Sequence, residues 1–356
     1  MTEQSHWRRW IVILIVVLIA GVGVVLASVL SQSESPAAQP TPEPSSKPSA
    51  SASASPSTPV IRAQRILLFE VRDDNRHVVF TQIMATGYAK TVGRLLPLPS
   101  DLLVPTPTWS ALRFTGDAND TLQSQHALEE LLGINIDISL TLDRLAFAGL
   151  IDATLTPAEA AKARASTDIA GVVESTIANL PSTPESAGQL LLSLGHMARS
   201  SASNAELVDL LLTLRKDSIS GTQKILTLPV SAVRANGAVV VNRAAADALI
   251  QKNFAVSKLN PGEAVRPRVL LIPAGASAAQ LAQATENLIE AGMTVIPGDT
   301  TTRVANSRVE VPPTLISSKL GQSAAEAIGL LPEEVKQVKD APVDVRIVLG
   351  SDVPAL

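Results

Sequence analysis

Three charged side chains share one irregular, proline-rich stretch: Arg94, Asp101 and Arg113, within residues 88–117, with prolines at 97, 99, 105 and 107. In α/β proteins such loops carry binding and catalytic groups. Two guanidiniums and a carboxylate there are candidates for holding an anion or a polymer; the competing reading is solvated loop charge. Other groups read more plainly. Arg144 follows Asp143 at a helix start, where a cap and a surface ion pair are expected. Asp152 closes an apolar helix as a solvated or capped end. His126 sits beside apolar helical positions and reads as a packed or surface histidine. Ser193 and His196 both fall inside an expected helix, and Ser110 and Ser139 lack a Gly-x-Ser-x-Gly context. Gly275 precedes a helix N-terminus that could hold an anion. It lacks the glycine patterns of nucleotide loops, so an ordinary strand-to-helix turn is the simpler reading. No catalytic residue and no metal ligand is assigned.

Composition narrows the chemistry. The 356 residues include no cysteine, so disulfide scaffolds, thiolate catalysis and Cys-ligated metal sites are excluded. The four histidines, at 6, 77, 126 and 196, are too scattered to suggest a metal cluster. A net charge of −4 without a Lys/Arg run argues against binding a nucleic-acid backbone, and 3% aromatic residues leave little to stack bases on.

The elements that must position these groups begin after an apolar start. Residues 11–30, IVILIVVLIAGVGVVLASVL, carry no charge. At about 1.5 Å per residue they would span roughly 30 Å, a bilayer core. Arg8 and Arg9 precede them, so the positive-inside rule expects residues 1–10 in the cytoplasm and the body outside the cell membrane. Trp7 and Trp10 would lie at the interface. A cleaved signal peptide ending near Val25-Leu26-Ala27 is the competing reading, although the run exceeds the usual signal core. Residues 31–60 hold ten Ser, seven Pro and five Ala, which is the composition of a disordered, extended stalk.

The rest reads as α/β. RILLFEVRDDNRHVVFT (65–81) is two apolar runs about a turn at Asp73-Asp74-Asn75, a hairpin signal. Asp120 could cap a helix bearing Leu122, Leu128, Leu131 and Leu132, stopped by Gly133. ISLTL (138–142) reads as a strand, and Asp143 caps the helix after it. Helical spacing recurs at 186–199 and 203–215; strands are expected at 224–230 and 238–242, and a helix at 243–253. Asn260-Pro261-Gly262 marks a boundary. Beyond it come a strand at 268–272, a helix opened by a Ser277/Gln280 capping box and ended by Gly292, and strands at 293–296 and 307–311. A helix around 323–330 and a strand at 344–350 complete the set. The expected organisation is a large α/β sandwich domain at 61–258 and a small βαβ-type domain at 266–353.

The second unit resembles the LytR C-terminal domain found on many LytR–CpsA–Psr family proteins. The pieces that carry the resemblance are RVLLIPAGASAAQLAQATENLIEAGMTVI, RVEVPP, GQSAAEAIGLL and VDVRIVLGSD. Where that domain has an asparagine–glycine turn, only Gly275 remains here. The larger segment resembles the catalytic domain of the same family through LEELLGINIDISLTLDRLAFAGLIDA (128–153), the early hairpin and AELVDLLLTLRKDSISGTQKILTLPV (205–230). The resemblance implies a membrane-anchored transferase that moves a glycopolymer from an isoprenoid pyrophosphate carrier to peptidoglycan, using arginines, acids and a divalent metal.

This chain departs from that pattern. The family's Pro-Arg-Asp triplet falls nearest LPLPSDLLVP (96–105), with Ser100 in the arginine position and Asp101 retained. The paired arginines expected after Asp152 reduce to Arg164. A pyrophosphate leaving group needs clustered guanidiniums or metal. The expectation is therefore a non-catalytic envelope protein without a cofactor. It would bind wall glycopolymer or an isoprenoid-linked precursor, or assist a catalytic paralogue that ligates glycopolymer to peptidoglycan. The alternative is an active transferase using Mg²⁺, which requires Arg72, Arg94, Arg113 and Arg144 to converge on one pocket. Ten cytoplasmic residues and an acidic body leave no DNA-binding domain.

Overall fold

The computed structural model describes residues 63–88, 92–105, 113–114, 121–221, 223–232, 238–331, 334–339 and 341–353. The apolar run 11–30, the stretch 31–60 and Asp120 lie outside the described residues. Among the described residues no helix is long and apolar enough to cross a membrane. Both segments expected as domains lie within one compact unit, Val60–Leu356.

The expected hairpin forms β1 (Ile66–Arg72) and β2 (Val78–Ala85), paired antiparallel. Its turn is held by Asp73, whose Oδ1 accepts the backbone N–H groups of Asn75 and His77, both at 2.9 Å. β3 (Arg94–Leu98) continues the meander, and β6 (Ile138–Asp143) pairs parallel to β1 on its other side. β7 (Ala198–Ser200) and β8 (Lys224–Ile225) close a six-stranded sheet ordered β7-β6-β1-β2-β3-β8. β1 is buried along its whole length, as a central strand covered on both faces must be.

Strand alternation divides its side chains. Leu67, Phe69 and Val71 face one core with α2 (Arg144–Thr154), α4 (Ile169–Ala178), α5 (Pro184–Ser193) and α6 (Asn204–Ile219). Between α2 and α4 lies the short α3 (Pro157–Arg164), opened by a Thr156/Glu159 capping box. Ile66 and Leu68 face a second core with α1 (Thr121–Leu132) and α7 (Arg243–Asn253). That middle core also contains Leu270, Ile296 and Val343 of the C-terminal segment. The chain is thus stacked as helices, sheet, helices, sheet and helices.

The outer sheet is five-stranded, in the order β12-β11-β15-β13-β14. It is built from β11 (Arg268–Pro273), β12 (Thr294–Pro297), β13 (Arg308–Val311), β14 (Val335–Gln337) and β15 (Val345–Leu349). β11 and β12 are parallel with α8 (Ala278–Glu290) between them, the expected βαβ unit, and the Ser277/Gln280 box caps α8. α8 and α9 (Leu315–Ala327) cover the outer core around Val269, Leu271, Val309 and Ile347. Two two-stranded pairs complete the described residues: β4 (Leu103–Val104) with β5 (Arg113–Phe114), and β9 (Val230–Ala232) with β10 (Val239–Val241).

Three expected boundaries differ. The helix over 186–199 ends at Ser193, because Gly195 takes φ 60 and turns the chain into β7, which pairs with the edge of β6. The strand at 224–230 is interrupted: Leu226 and Leu228 turn into the middle core, and Pro229 has no N–H to give a ladder. The helix near 323–330 starts earlier, at Leu315, just after Pro312-Pro313.

Gly321 lets α9 approach the outer sheet. A Cβ there would sit 2.7 Å from Val311 Cγ1 and 2.9 Å from Val335 Cγ1. Helix propensity alone would make Gly321→Ala stabilising by about 1 kcal/mol. Both contacts are with χ1-restricted valines, so overpacking wins and the variant should lose about 1–3 kcal/mol. Urea unfolding of the two proteins checks this; an unchanged or higher midpoint contradicts it.

Candidate functional site

Register places the four arginines a transferase would have to gather. Arg94 stands opposite Ala85, which stands opposite Ile66. Arg72 is six residues further along β1, which at about 3.3 Å per residue is roughly 20 Å away. Arg94 and Arg72 therefore lie at opposite ends of the six-stranded sheet. Arg94 is held at its own end, where Nε donates to Asn253 Oδ1 at 2.9 Å and Nη1 to the Gly93 carbonyl at 3.2 Å.

Asp101 lies past the other end of β3, since Leu98 stands opposite Thr81 and Thr81 opposite Glu70. It is half-buried, and its carbonyl accepts the Val239 N–H at 3.0 Å. The backbone of Arg113 pairs with Val104 just beyond. The structure thus brings Asp101 and the Arg113 backbone toward the carboxyl ends of β1, β3 and β6 and leaves Arg94 behind. Carboxyl ends of parallel strands are where open α/β sheets bind ligands.

The group that occupies this end is a buried ion pair. Glu70 and Arg72 are two residues apart on β1 and so share the face turned toward α1. Arg72 Nη2 donates to Glu70 Oε2 at 2.9 Å and to Ser124 Oγ at 3.2 Å, and Nη1 donates to the Arg76 carbonyl at 3.1 Å. Thr141 Oγ1 donates to Glu70 Oε2 at 3.3 Å from β6. Oε1 of Glu70 is buried with no hydrogen bond. Burial pushes the Glu70 carboxyl above its ordinary range, against the opposing charge of Arg72. Burial of this kind is how acid–base groups are tuned, and structural ion pairs show it too. As a charge unit the pair sums to zero, which suits it to fixing α1 on the sheet rather than to neutralising a dianion. The sequence carried a signal for it: two opposite charges at alternate positions inside an otherwise apolar strand.

The remaining sequence candidates are accounted for locally. Asp143 Oδ1 accepts the Ala146 N–H at 2.7 Å as the cap of α2, and Arg144 is exposed. Asp152 is ion-paired with Arg164, the one arginine of its region. His126 Nδ1 lies 3.2 Å from Glu129 Oε2 on α1. Ser193 Oγ donates to the Leu190 carbonyl at 2.6 Å. Gly275 has φ 142, and a Cβ there would meet the Val304 carbonyl at 3.0 Å, so a close backbone approach accounts for the glycine. Among the described residues no three His, Asp or Glu side chains gather as a metal site.

A second polar cluster joins the middle helices to the outer sheet. Arg268 is 1% exposed; its N–H donates to Asp344 Oδ2 at 2.7 Å, and its Nε lies 3.6 Å from the same oxygen. Asp299, just after β12, accepts the N–H groups of Arg243 at 3.1 Å and Ala244 at 2.9 Å, at the start of α7. Arg243 also donates to the Leu131 carbonyl and to Asp247. Arg266 lies 3.9 Å from Glu130 on α1. Burial raises the Glu130 pKa and lowers that of Arg268. Glu130, Arg243, Asp247 and Arg268 line a cavity of about 20 Å³, the size of one water molecule.

Glu70 yields a prediction with a definite sign. Its folded-state pKa is raised, so stability falls as pH rises from the unfolded value through the folded one. Glu70→Gln, a neutral stand-in for the protonated carboxyl, should remove that dependence, so it gains on the parent as pH rises, whereas Arg72→Met leaves the ionised carboxylate buried without a counter-charge, at a cost of about 3–5 kcal/mol. The double variant Glu70→Leu/Arg72→Met should recover most of the loss. Denaturant midpoints measured across acid and neutral pH check these; an Arg72→Met variant as stable as the parent at neutral pH contradicts the pairing.

No family model and no curated protein matches the chain. Solved structures do. A "LytR-Csp2A-Psr enzyme from Actinomyces oris" matches 55% of this chain and 90% of its own at 16% identity, with a TM-score of 0.42. TagU of B. subtilis matches 56% of this chain and 99% of its own at 10% identity, with a TM-score of 0.45. A structure described as "TagT bound to LIIa-WTA" matches 55% and 91% at 13% identity, with a TM-score of 0.44. Over about half its length, then, the chain is similar in structure to proteins of the family that its own residues resemble.

Proposed function

We propose that this chain is a membrane-anchored, extracytoplasmic protein of the cell envelope that binds wall glycopolymer, or assists a ligase that attaches it to peptidoglycan, without catalysing the transfer itself. Residues 11–30 would serve as the anchor and 31–60 as the stalk. Asp101, with Arg94 or Arg113, would contribute to polymer contacts singly rather than as one cluster.

The observation that carries the reading is the state of the arginines. Arg72 is bonded to Glu70, Arg164 is paired with Asp152, and Arg94 sits at the far end of the sheet, away from Arg72, Arg144 and the Arg113 backbone. A leaving pyrophosphate carries at least two negative charges, and its stabilisation needs several aligned guanidiniums or a metal in a water-poor site. A neutralised pair offers no net charge for that work. The resemblance of 128–153 and 205–230 to the transferase domain supplies the cellular setting.

The full chain in detergent, incubated with geranyl pyrophosphate and Mg²⁺, should release no phosphate or pyrophosphate above a protein-free control. It should nevertheless sediment with purified cell wall that retains its glycopolymer, and less with wall stripped of it. Turnover of the pyrophosphate would overturn the non-catalytic reading in favour of the transferase. Equal sedimentation with both wall preparations would overturn polymer binding.

A further inference from the structure

The outer sheet turns one face to its own helices and, beyond β15, leaves part of the other exposed. Val309, Val311, Val345 and Ile347 point into the outer core. Alternation therefore puts Arg308, Glu310 and Arg346 on the opposite face. Register sets Arg346 on β15 beside Glu310 on β13, and Glu310 beside Lys336 on β14. At about 4.8 Å between strands, the backbones of Arg346 and Lys336 are roughly 10 Å apart, with Glu310 between them.

Glu310 organises the two guanidiniums. Its Oε1 accepts Arg308 Nε at 2.7 Å, and its Oε2 accepts from Arg346. Burial opposes the charge on Glu310, but the hydrogen bonds from Arg308 and Arg346 outweigh it and hold the carboxyl below its ordinary range. One carboxylate thus faces three cations, leaving a net charge of about +2 on a chain whose total is −4. The side chains of Arg308 and Arg346 are 38% and 29% exposed, and Lys336 is exposed. Neither Nη of Arg308 donates to any described residue.

We infer that this face of the outer sheet, formed by Arg308, Arg346 and Lys336 around Glu310, is a docking surface for a linear polymer joined by phosphodiesters. Guanidinium forks held by a carboxylate lose little freedom on meeting a phosphate, which they match in shape. Arg346 and Lys336 flank Glu310 across the strands and Arg308 lies one pleat along β13, so the cations spread over a sheet face rather than around a pocket, which fits repeated single charges better than one small anion. Nucleic acid shares the phosphodiester but also offers bases, and 3% aromatic residues provide little for them to stack on. The inference rests on the polymer-binding reading above and adds to it a chemical class and a surface.

The test titrates poly(glycerol phosphate) into the full chain in nonionic detergent at several salt concentrations. Two variants are compared: Lys336→Gln, at an exposed edge position, and the triple Arg308→Gln/Glu310→Gln/Arg346→Gln, which leaves no orphan charge. Thermal unfolding confirms that each is folded. The parent should bind with a salt-dependent affinity. Lys336→Gln should reduce the slope of log K against log salt by about one, and the triple variant should weaken binding about tenfold or more. Parent-like affinity and slope in both variants would overturn this surface while leaving polymer binding standing. Failure of the parent to bind this polymer would overturn the phosphodiester class, and wall sedimentation would then decide whether the broader reading survives. Equal binding of a single-stranded oligonucleotide, lost in the same variants, would overturn the choice of partner.

Discussion

The buried contact between Arg268 and Asp344 fixes the end of the outer sheet against which the middle helices are seated. Arg268 opens β11 and Asp344 immediately precedes β15, so the carboxylate ties together the two parallel strands at the centre of the outer sheet. A nearly unexposed guanidinium would be costly without it. Around the pair, Asp299 caps α7, Arg243 reaches the last carbonyls of α1, and Arg266 lies beside Glu130. Such networks add little net stability over an apolar replacement of the same shape, but they do not tolerate loss of one member. Here they fix how the middle helices seat on the outer sheet, where apolar contact among Leu270, Ile296 and Val343 would allow several arrangements.

With that seating fixed, the six-stranded sheet is covered on both faces and its chemistry is confined to its ends. β1, β3 and β6 run the same way, so Glu70, Arg72, Asp101 and Asp143 gather at one end, and Arg94 belongs to the other. Two of the three acids there already have work: Glu70 binds Arg72 and Asp143 caps α2. The carboxyl end of the sheet thus holds charges of which Glu70, Arg72 and Asp143 serve packing and capping.

Much of the local structure was legible from the residues. The hairpin about Asp73, the Asp143 cap, the Ser277/Gln280 box and the helix over 243–253 follow from short-range rules that need no tertiary information. The stop of α5 at Ser193 was less visible, because apolar spacing runs on and only a backbone turn at Gly195 breaks it. Of the residues read as site candidates, Asp101 lies just past the carboxyl end of β3. Its distance from Arg94 depends on strand register, which spacing in one strand cannot supply. The Arg268–Asp344 and Arg243–Asp299 contacts were illegible for the same reason: their members stand far apart in sequence and meet only in the folded structure.

The capping of α7 by Asp299 orders the making of the molecule. A chain is synthesised from its N-terminus, so α7 and the hydrophobic faces of α1 and the six-stranded sheet emerge first. Asn242 caps α7 locally, but the carboxylate that takes its first two N–H groups comes 56 residues after Arg243, and Asp344 comes later still. Until then the middle layer is an open sandwich, wet on one side. A ribosome-bound intermediate would carry that apolar face exposed, and a chain cut short before Asp344 would keep it. The segment around Val343 and Asp344 therefore closes the middle layer last.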